Sequence, residues 1–227
     1  MKQLISIILF SVLCLSVHSQ KTYIWCGTLI DGISKEPQKN MTIIVDKNKI
    51  IAVENGFTKP AASDKTIDLK TKTVTPGWMD MHVHIEGETN SNQYLERFTT
   101  NPADVAFSSL PYAERTLMAG FTTVRDLGGS GVNVSLRNAI AKGLVKGPRI
   151  FTSGKAIGTT GGHADPTNSY RKDLMGDPGP AEGVINSPED AVKAVRQRYK
   201  DGSDLIKNNS NRRRTKHGKK RTESTVY

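Results

Sequence analysis

The chain has 227 residues, 36% of them hydrophobic and 24% charged, with two cysteines and a formal net charge of +10. Two cysteines exclude a disulfide-stapled scaffold. The charge does not mark a basic, nucleic-acid-binding fold: the last twenty residues hold seven Lys or Arg against one Glu, and setting them and Lys2 aside leaves +3 for residues 20–207.

Lys2, the apolar run over residues 4–15 and the small residues of Val17-His18-Ser19 ahead of Gln20 have the order of an export signal. The run is too short to cross a bilayer. A cleaved signal peptide over residues 1–19 is therefore expected, giving an exported (periplasmic or secreted) protein without a membrane span. Cys14 follows Val12-Leu13 rather than a small residue, which disfavours a lipoprotein. Cleavage leaves Cys26 alone, so no internal disulfide is expected.

Residues 20–72 read as short strands joined by polar turns. Residues 41–45 and 49–53 flank Asp46-Lys47-Asn48 and suit a hairpin. From Thr73 the pattern changes to strands alternating with helices, the sign of βα units and a parallel sheet. Asn101-Pro102 with Asp104 starts a helix that should run to about Ala119. Ser187-Pro188-Glu189-Asp190 starts another, on which Ala191, Val192, Ala194, Val195 and Tyr199 form the expected apolar stripe and Lys193, Arg196, Arg198 and Lys200 the wet side.

The segment Thr75-Pro76-Gly77-Trp78-Met79-Asp80-Met81-His82-Val83-His84 ends a predicted strand with two histidines. Alternation puts His82 and His84 on one face, about 7 Å apart, within reach of one metal ion. Neutral imidazole is a common zinc ligand, and a catalytic zinc keeps a position open for water.

With its context this segment resembles the first barrel strand of the amidohydrolase superfamily, in its imidazolonepropionase-like and Xaa-Pro dipeptidase (prolidase) branch. Four more segments carry the resemblance: Leu117-Met118-Ala119-Gly120-Phe121-Thr122-Thr123-Val124-Arg125-Asp126, Gly147-Pro148-Arg149-Ile150-Phe151-Thr152-Ser153-Gly154, Thr160-Gly161-Gly162-His163-Ala164-Asp165 and Asp201-Gly202-Ser203-Asp204-Leu205-Ile206-Lys207. It covers residues 22–207, the N-terminal portion of such a protein. The fold expected is α/β: part of a small β-sandwich over residues 20–72, then about four βα units of a (β/α)8 (TIM) barrel over residues 73–207. A closed barrel takes roughly 250 residues. Half a barrel leaves a strand edge and barrel-lining side chains uncovered, so aggregation is expected.

The resemblance implies hydrolysis of a C–N bond in a small molecule or dipeptide by metal-activated water. It implies His82, His84 and a CO2-carboxylated Lys207 as ligands of one or two divalent metals, zinc being expected, and His163 as the group touching substrate or oxyanion. Arg125 and Asp126 are expected to pair and fix the second strand end. Leu127-Gly128-Gly129-Ser130-Gly131 lacks the spacing of a phosphate cradle and reads as a βα loop. The family's later histidine pair and late aspartate have no counterpart here; after Lys207 the one histidine is His217. No nucleic-acid partner is expected, and a homo-oligomer is compatible with this reading.

Three readings compete for the basic residues 208–227: a disordered arm that binds anions, a solvated terminus, and a stretch translated out of frame. The abrupt loss of resemblance in mid-strand favours the third. The competing function is a non-catalytic fragment or basic-tailed binding protein.

Overall fold

The computed structural model describes residues 20–209. The signal-peptide expectation, and all but the first two residues of the basic segment, lie outside the described residues. The chain divides between Pro76 and Gly77 into two compact units. No helix among the described residues is long and apolar enough to cross a membrane.

The first unit is one four-stranded sheet in the order β3-β2-β1-β4, built from β1 (Lys21–Leu29), β2 (Gln38–Asp46), β3 (Lys49–Asn55) and β4 (Lys65–Val74). β2 and β3 form the expected hairpin, with Asp46 opposite Lys49 and Lys47 at a φ of 55° in the turn. β1 runs antiparallel to β2 and parallel to β4. One face buries Cys26, Leu29, Met41 and Ile43 against Ile24, Val45 and Val74. The second layer of the expected sandwich is not formed by the described residues.

The second unit is α/β. Its main sheet is parallel, in the order β5 (Trp78–Val83), β6 (Phe121–Asp126), β7 (Arg149–Thr152). Between β5 and β6 lie α1 (Gln93–Thr99) and α2 (Pro102–Met118), and between β6 and β7 lies α3 (Val132–Ala141). α2 begins where the sequence predicts, with the Asp104 carboxylate accepting from the Asn101 backbone N–H at 2.9 Å. Sheet and helices enclose Ile85, Ala113, Val124, Leu136 and Ile150. β8 (Ile157–Gly158), the short α4 (Lys172–Met175), α5 (Pro188–Asp201) and β9 (Asn208–Asn209) complete the unit.

The main sheet is an open, partial barrel of three strands, where about four units were expected. Residues 204–207 do not continue it. The backbone N–H of Asp204 does donate to the Thr152 carbonyl at 2.8 Å. The Asp204 carboxylate, however, accepts from the Thr152 N–H at 2.9 Å and pairs with Arg137 at 2.6 Å, taking the donor that a fourth strand's carbonyl needs. The chain instead pairs one step later, β9 with β8.

α5 starts on its Ser187 cap, which accepts from the Asp190 N–H at 3.1 Å, and stops at Gly202 with φ 85°. Its faces differ from the expected ones. Ala194 and Arg198 are the buried pair, while Val192 and Val195 are exposed and Tyr199 is 86% exposed. The reason is polar: the Arg198 guanidinium reaches the carbonyls of Lys155 and Ala181. That need turns the helix toward an arginine where hydrophobicity alone would turn it away.

Candidate active site

β5 delivers His82 within the strand and His84 just beyond it. Their ring centroids lie 5.4 Å apart with planes at 64°, and both residues are exposed. Nδ1 of His84 lies 2.7 Å from the carbonyl oxygen of Gly128. A carbonyl only accepts, so this bond puts the proton on Nδ1 and leaves the lone pair on Nε2. Metal-binding histidines are oriented in this way by a carbonyl or carboxylate behind them.

Gly128 can serve there because its φ of +136° is open to glycine and strained for other residues. Its N–H donates to Asp126 at 3.3 Å, and the other oxygen of that carboxylate accepts from the Ile85 N–H at 3.4 Å. Asp126 is fully buried. Burial, and then the nearby Glu86 charge, push its carboxyl up to about 6, against the two backbone N–H bonds and His84. The expected partnership of Arg125 with Asp126 is replaced: Arg125 donates Nε–H to the Met81 carbonyl at 2.8 Å, while Asp126 serves the backbone of the β5 and β6 ends. Neighbouring residues on a strand face opposite ways, which gives the two side chains different surroundings.

Glu86 was not legible as a site residue. Its carboxylate accepts from the Ser130 and Asn133 N–H groups, each at 2.6 Å, where α3 begins without a side-chain cap of its own. It thereby holds the Gly128-containing loop to the β5 end.

His163 sits exposed in the loop between β8 and α4. Asp165 organises that stretch, accepting from the Gly161 N–H at 2.7 Å, the Thr167 N–H at 2.9 Å and the Thr167 hydroxyl at 2.7 Å. These bonds hold its carboxyl below the usual range despite the opposing cost of burial. The loop closes on itself through the Gly158–Val184 bridge. Gly183, at φ 98°, makes that closure feasible, since a Cβ there would lie 2.1 Å from the Ala156 carbonyl oxygen.

His84 and His163 line one cavity of about 560 Å³ together with Arg97 and Lys155. Both also line an adjoining, larger groove whose wall includes Asn208 and Asn209. His82 lies beside His84 without lining either space. Lys207 is buried, with 6% of its surface exposed, and its carbonyl accepts from the Ile157 N–H at 2.8 Å. It precedes the groove wall by one residue. The structure thus gathers His84 and His163 at one mouth with His82 beside His84, and buries Lys207 outside both lining sets.

Among the described residues no three His, Cys, Asp or Glu side chains converge as a metal site. The donors present still suit a divalent ion in part: two imidazoles at one strand end, one of them with its tautomer set for Nε2 coordination.

The amidohydrolase family model matches residues 73–222. Ochratoxinase from Aspergillus niger is 28% identical over 205 residues, which cover 84% of this chain and 42% of that protein. Among solved structures, a Xaa-Pro dipeptidase with methionine bound in its active site is 46% identical, with a TM-score of 0.77 over 83% of this chain and 47% of the other. A prolidase complexed with N-methylphosphonate-L-proline is 32% identical, with a TM-score of 0.68 over 83% and 46%. The chain spans about half the length of these relatives.

Proposed function

This chain belongs to the amidohydrolase family, and from that premise we propose that it carries the metal-binding strand end and the substrate-facing loop of an exported enzyme that hydrolyses a C–N bond in a dipeptide or similar small amide. One observation carries the reading: the 2.7 Å bond from His84 Nδ1 to the Gly128 carbonyl, which spends one ring nitrogen on the protein and presents the other. The Xaa-Pro dipeptidase and prolidase similarities favour a dipeptide over other amides. Export rests on the order of residues in 1–19.

His82 and His84 would hold a divalent ion, zinc being the best match to imidazole donors. Lys207, once carboxylated on Nζ by CO2 with release of a proton, would add an anionic oxygen ligand, and its burial would shield the adduct from water. When bound, such an ion lowers the pKa of water to near 7 and polarises a carbonyl. The protein's own part is orientation. Asp126 and Glu86 fix the loop that aims His84, and Asp165 fixes the turn that carries His163. His163 then lies on the cavity wall, where it can donate to the oxygen of the scissile carbonyl as charge develops there.

The test is zinc titration by calorimetry, with hydrolysis of L-methionyl-L-proline followed in parallel. Zinc binding that falls at least tenfold in His82→Ala and His84→Ala, with hydrolysis by the zinc-loaded chain, supports the reading. Zinc uptake unaffected by either substitution overturns it.

The second reading is a non-catalytic chain that keeps a two-histidine metal site or binds anions through its basic segment. It is favoured by the span of the chain, about half the length of the relatives it matches. Zinc bound without hydrolysis, or retention on heparin without zinc, selects it.

A further inference from the structure

The cavity shared by His84 and His163 has a charge balance that the metal site does not explain. Arg97 and Lys155 line it, and Glu182 is the one acidic side chain among its lining residues. Glu182 is already engaged, accepting from the Gly179 N–H at 3.3 Å. With neutral imidazoles the wall of this cavity carries net positive charge before any metal is added, while the carboxylates of the adjoining groove that Arg97 also lines, Glu86, Glu88, Glu96, Asp104 and Asp165, are each engaged elsewhere.

Arg97 is held in an unusual way. It leaves α1 on the last turn and lies over the Tyr170 ring, 5.3 Å from guanidinium carbon to ring centroid. Tyr170 is itself stacked on Tyr94, with centroids 5.4 Å apart and planes within 5°, and meets Phe98 edge-on at 5.7 Å. Tyr94 and Phe98 belong to α1, while Tyr170 comes from the loop that carries His163. The aromatic trio therefore joins two βα loops and supports one face of the guanidinium. No carboxylate among the described residues forms a salt bridge with Arg97. A guanidinium braced by a ring keeps its planar fork of donors for a ligand, and the group that matches that fork is a carboxylate.

We propose that Arg97, braced by Tyr170 and seconded by Lys155, is the specificity-determining residue of this site and binds the free carboxylate of the substrate. This rests on the site reading given above, but not on the metal. The ligand class is a small amide with an ionised carboxyl group, and Arg97 distinguishes it from its neutral amide or ester. An exposed arginine on a seven-residue helix contributes little to stability, so its replacement leaves the fold intact.

Isothermal titration of the full chain, with and without zinc, tests the proposal using N-acetyl-L-methionine and its neutral C-terminal amide. The acid should bind at least tenfold more tightly than the amide. Arg97→Ala should weaken the acid roughly 10- to 100-fold, the scale of a lost hydrogen-bonded charge partner, and leave the amide unchanged. Arg97→Lys should recover part of the loss, and Tyr170→Leu should weaken the acid less than Arg97→Ala. Equal binding of acid and amide, no binding of the acid by the unsubstituted chain, or discrimination that survives Arg97→Ala overturns it. Zinc uptake is measured alongside on the parent, His84→Ala and Arg97→Ala chains: zinc uptake indifferent to His84→Ala with acid discrimination lost on Arg97→Ala fails the metal reading alone, and zinc uptake lost on His84→Ala with discrimination surviving Arg97→Ala fails this proposal alone.

Discussion

The carbonyl oxygen of Gly128 accepts a hydrogen bond from Nδ1 of His84 across 2.7 Å, joining the end of the first barrel strand to the loop after the second. Through it a backbone peptide decides which nitrogen of an exposed histidine is available to a ligand. The peptide is itself positioned by Asp126, buried one turn of chain away.

Gly128→Ala should therefore reduce zinc affinity without touching a metal ligand. The φ of +136° is unfavourable to alanine, and relaxation swings the carbonyl away from His84. The expected loss is roughly 10- to 100-fold, the usual cost of removing a group behind a ligand. A competition titration against a chromogenic chelator measures it, and affinity equal to the parent chain refutes the link.

Asp126 should give stability an inverted pH dependence. Its folded carboxyl titrates near 6, above the unfolded value of about 3.9. Between those values the folded chain keeps a proton that the unfolded chain releases. The contribution is thus fully present below pH 4, is lost as pH rises, and is gone above 6, on the order of 2–3 kcal/mol in all. Urea unfolding in EDTA from pH 4 to 7 should show Asp126→Asn losing less stability across this window than the parent. Parallel profiles for the two chains would count against it.

Arg198→Ala should destabilise the second unit by about 3 kcal/mol. The guanidinium is 1% exposed and satisfies the carbonyls of Lys155 and Ala181, and truncation strands both. Asp201→Ala removes only a half-exposed partner at 3.6 Å and should cost less than about 1 kcal/mol. Chemical denaturation of the two variants checks the order.

Apolar side chains crowd the solvent surface of the second unit: Trp78, Met79, Met81, Phe107 and Phe151 are all exposed. The chain should bind a hydrophobic dye in its native state and self-associate at micromolar concentration. Light scattering after size exclusion reads this directly, and a dye-silent monomer at 50 μM, a concentration of roughly the order at which such surfaces associate, would refute it.

Local signals were readable in the sequence because they are local. The hairpin around Lys47, the Asn101 and Ser187 helix starts and the histidine spacing all depend on residues within about four positions of one another. What escaped depends on partners far along the chain. Asp204 meets Thr152 across 52 residues, and Arg198 meets Lys155 across 43. Each inverts a rule of pattern: a carboxylate replaces a strand, and an arginine replaces an apolar contact. Arg97 escaped for the same reason, since only the fold brings Tyr170 under it. The family likeness supplied roles for His82, His84, His163 and Lys207; of these the fold brings His84 and His163 onto one cavity wall, with His82 beside His84.

The hold of Asp204 on the Thr152 N–H makes the outer margin of the sheet self-limiting. An incoming strand, from this chain or another, meets a carboxylate already seated on the first amide it needs, with Arg137 locked to the same oxygen. Growth of the sheet at that margin is a displacement reaction, and its rate is set by how often Asp204 lets go.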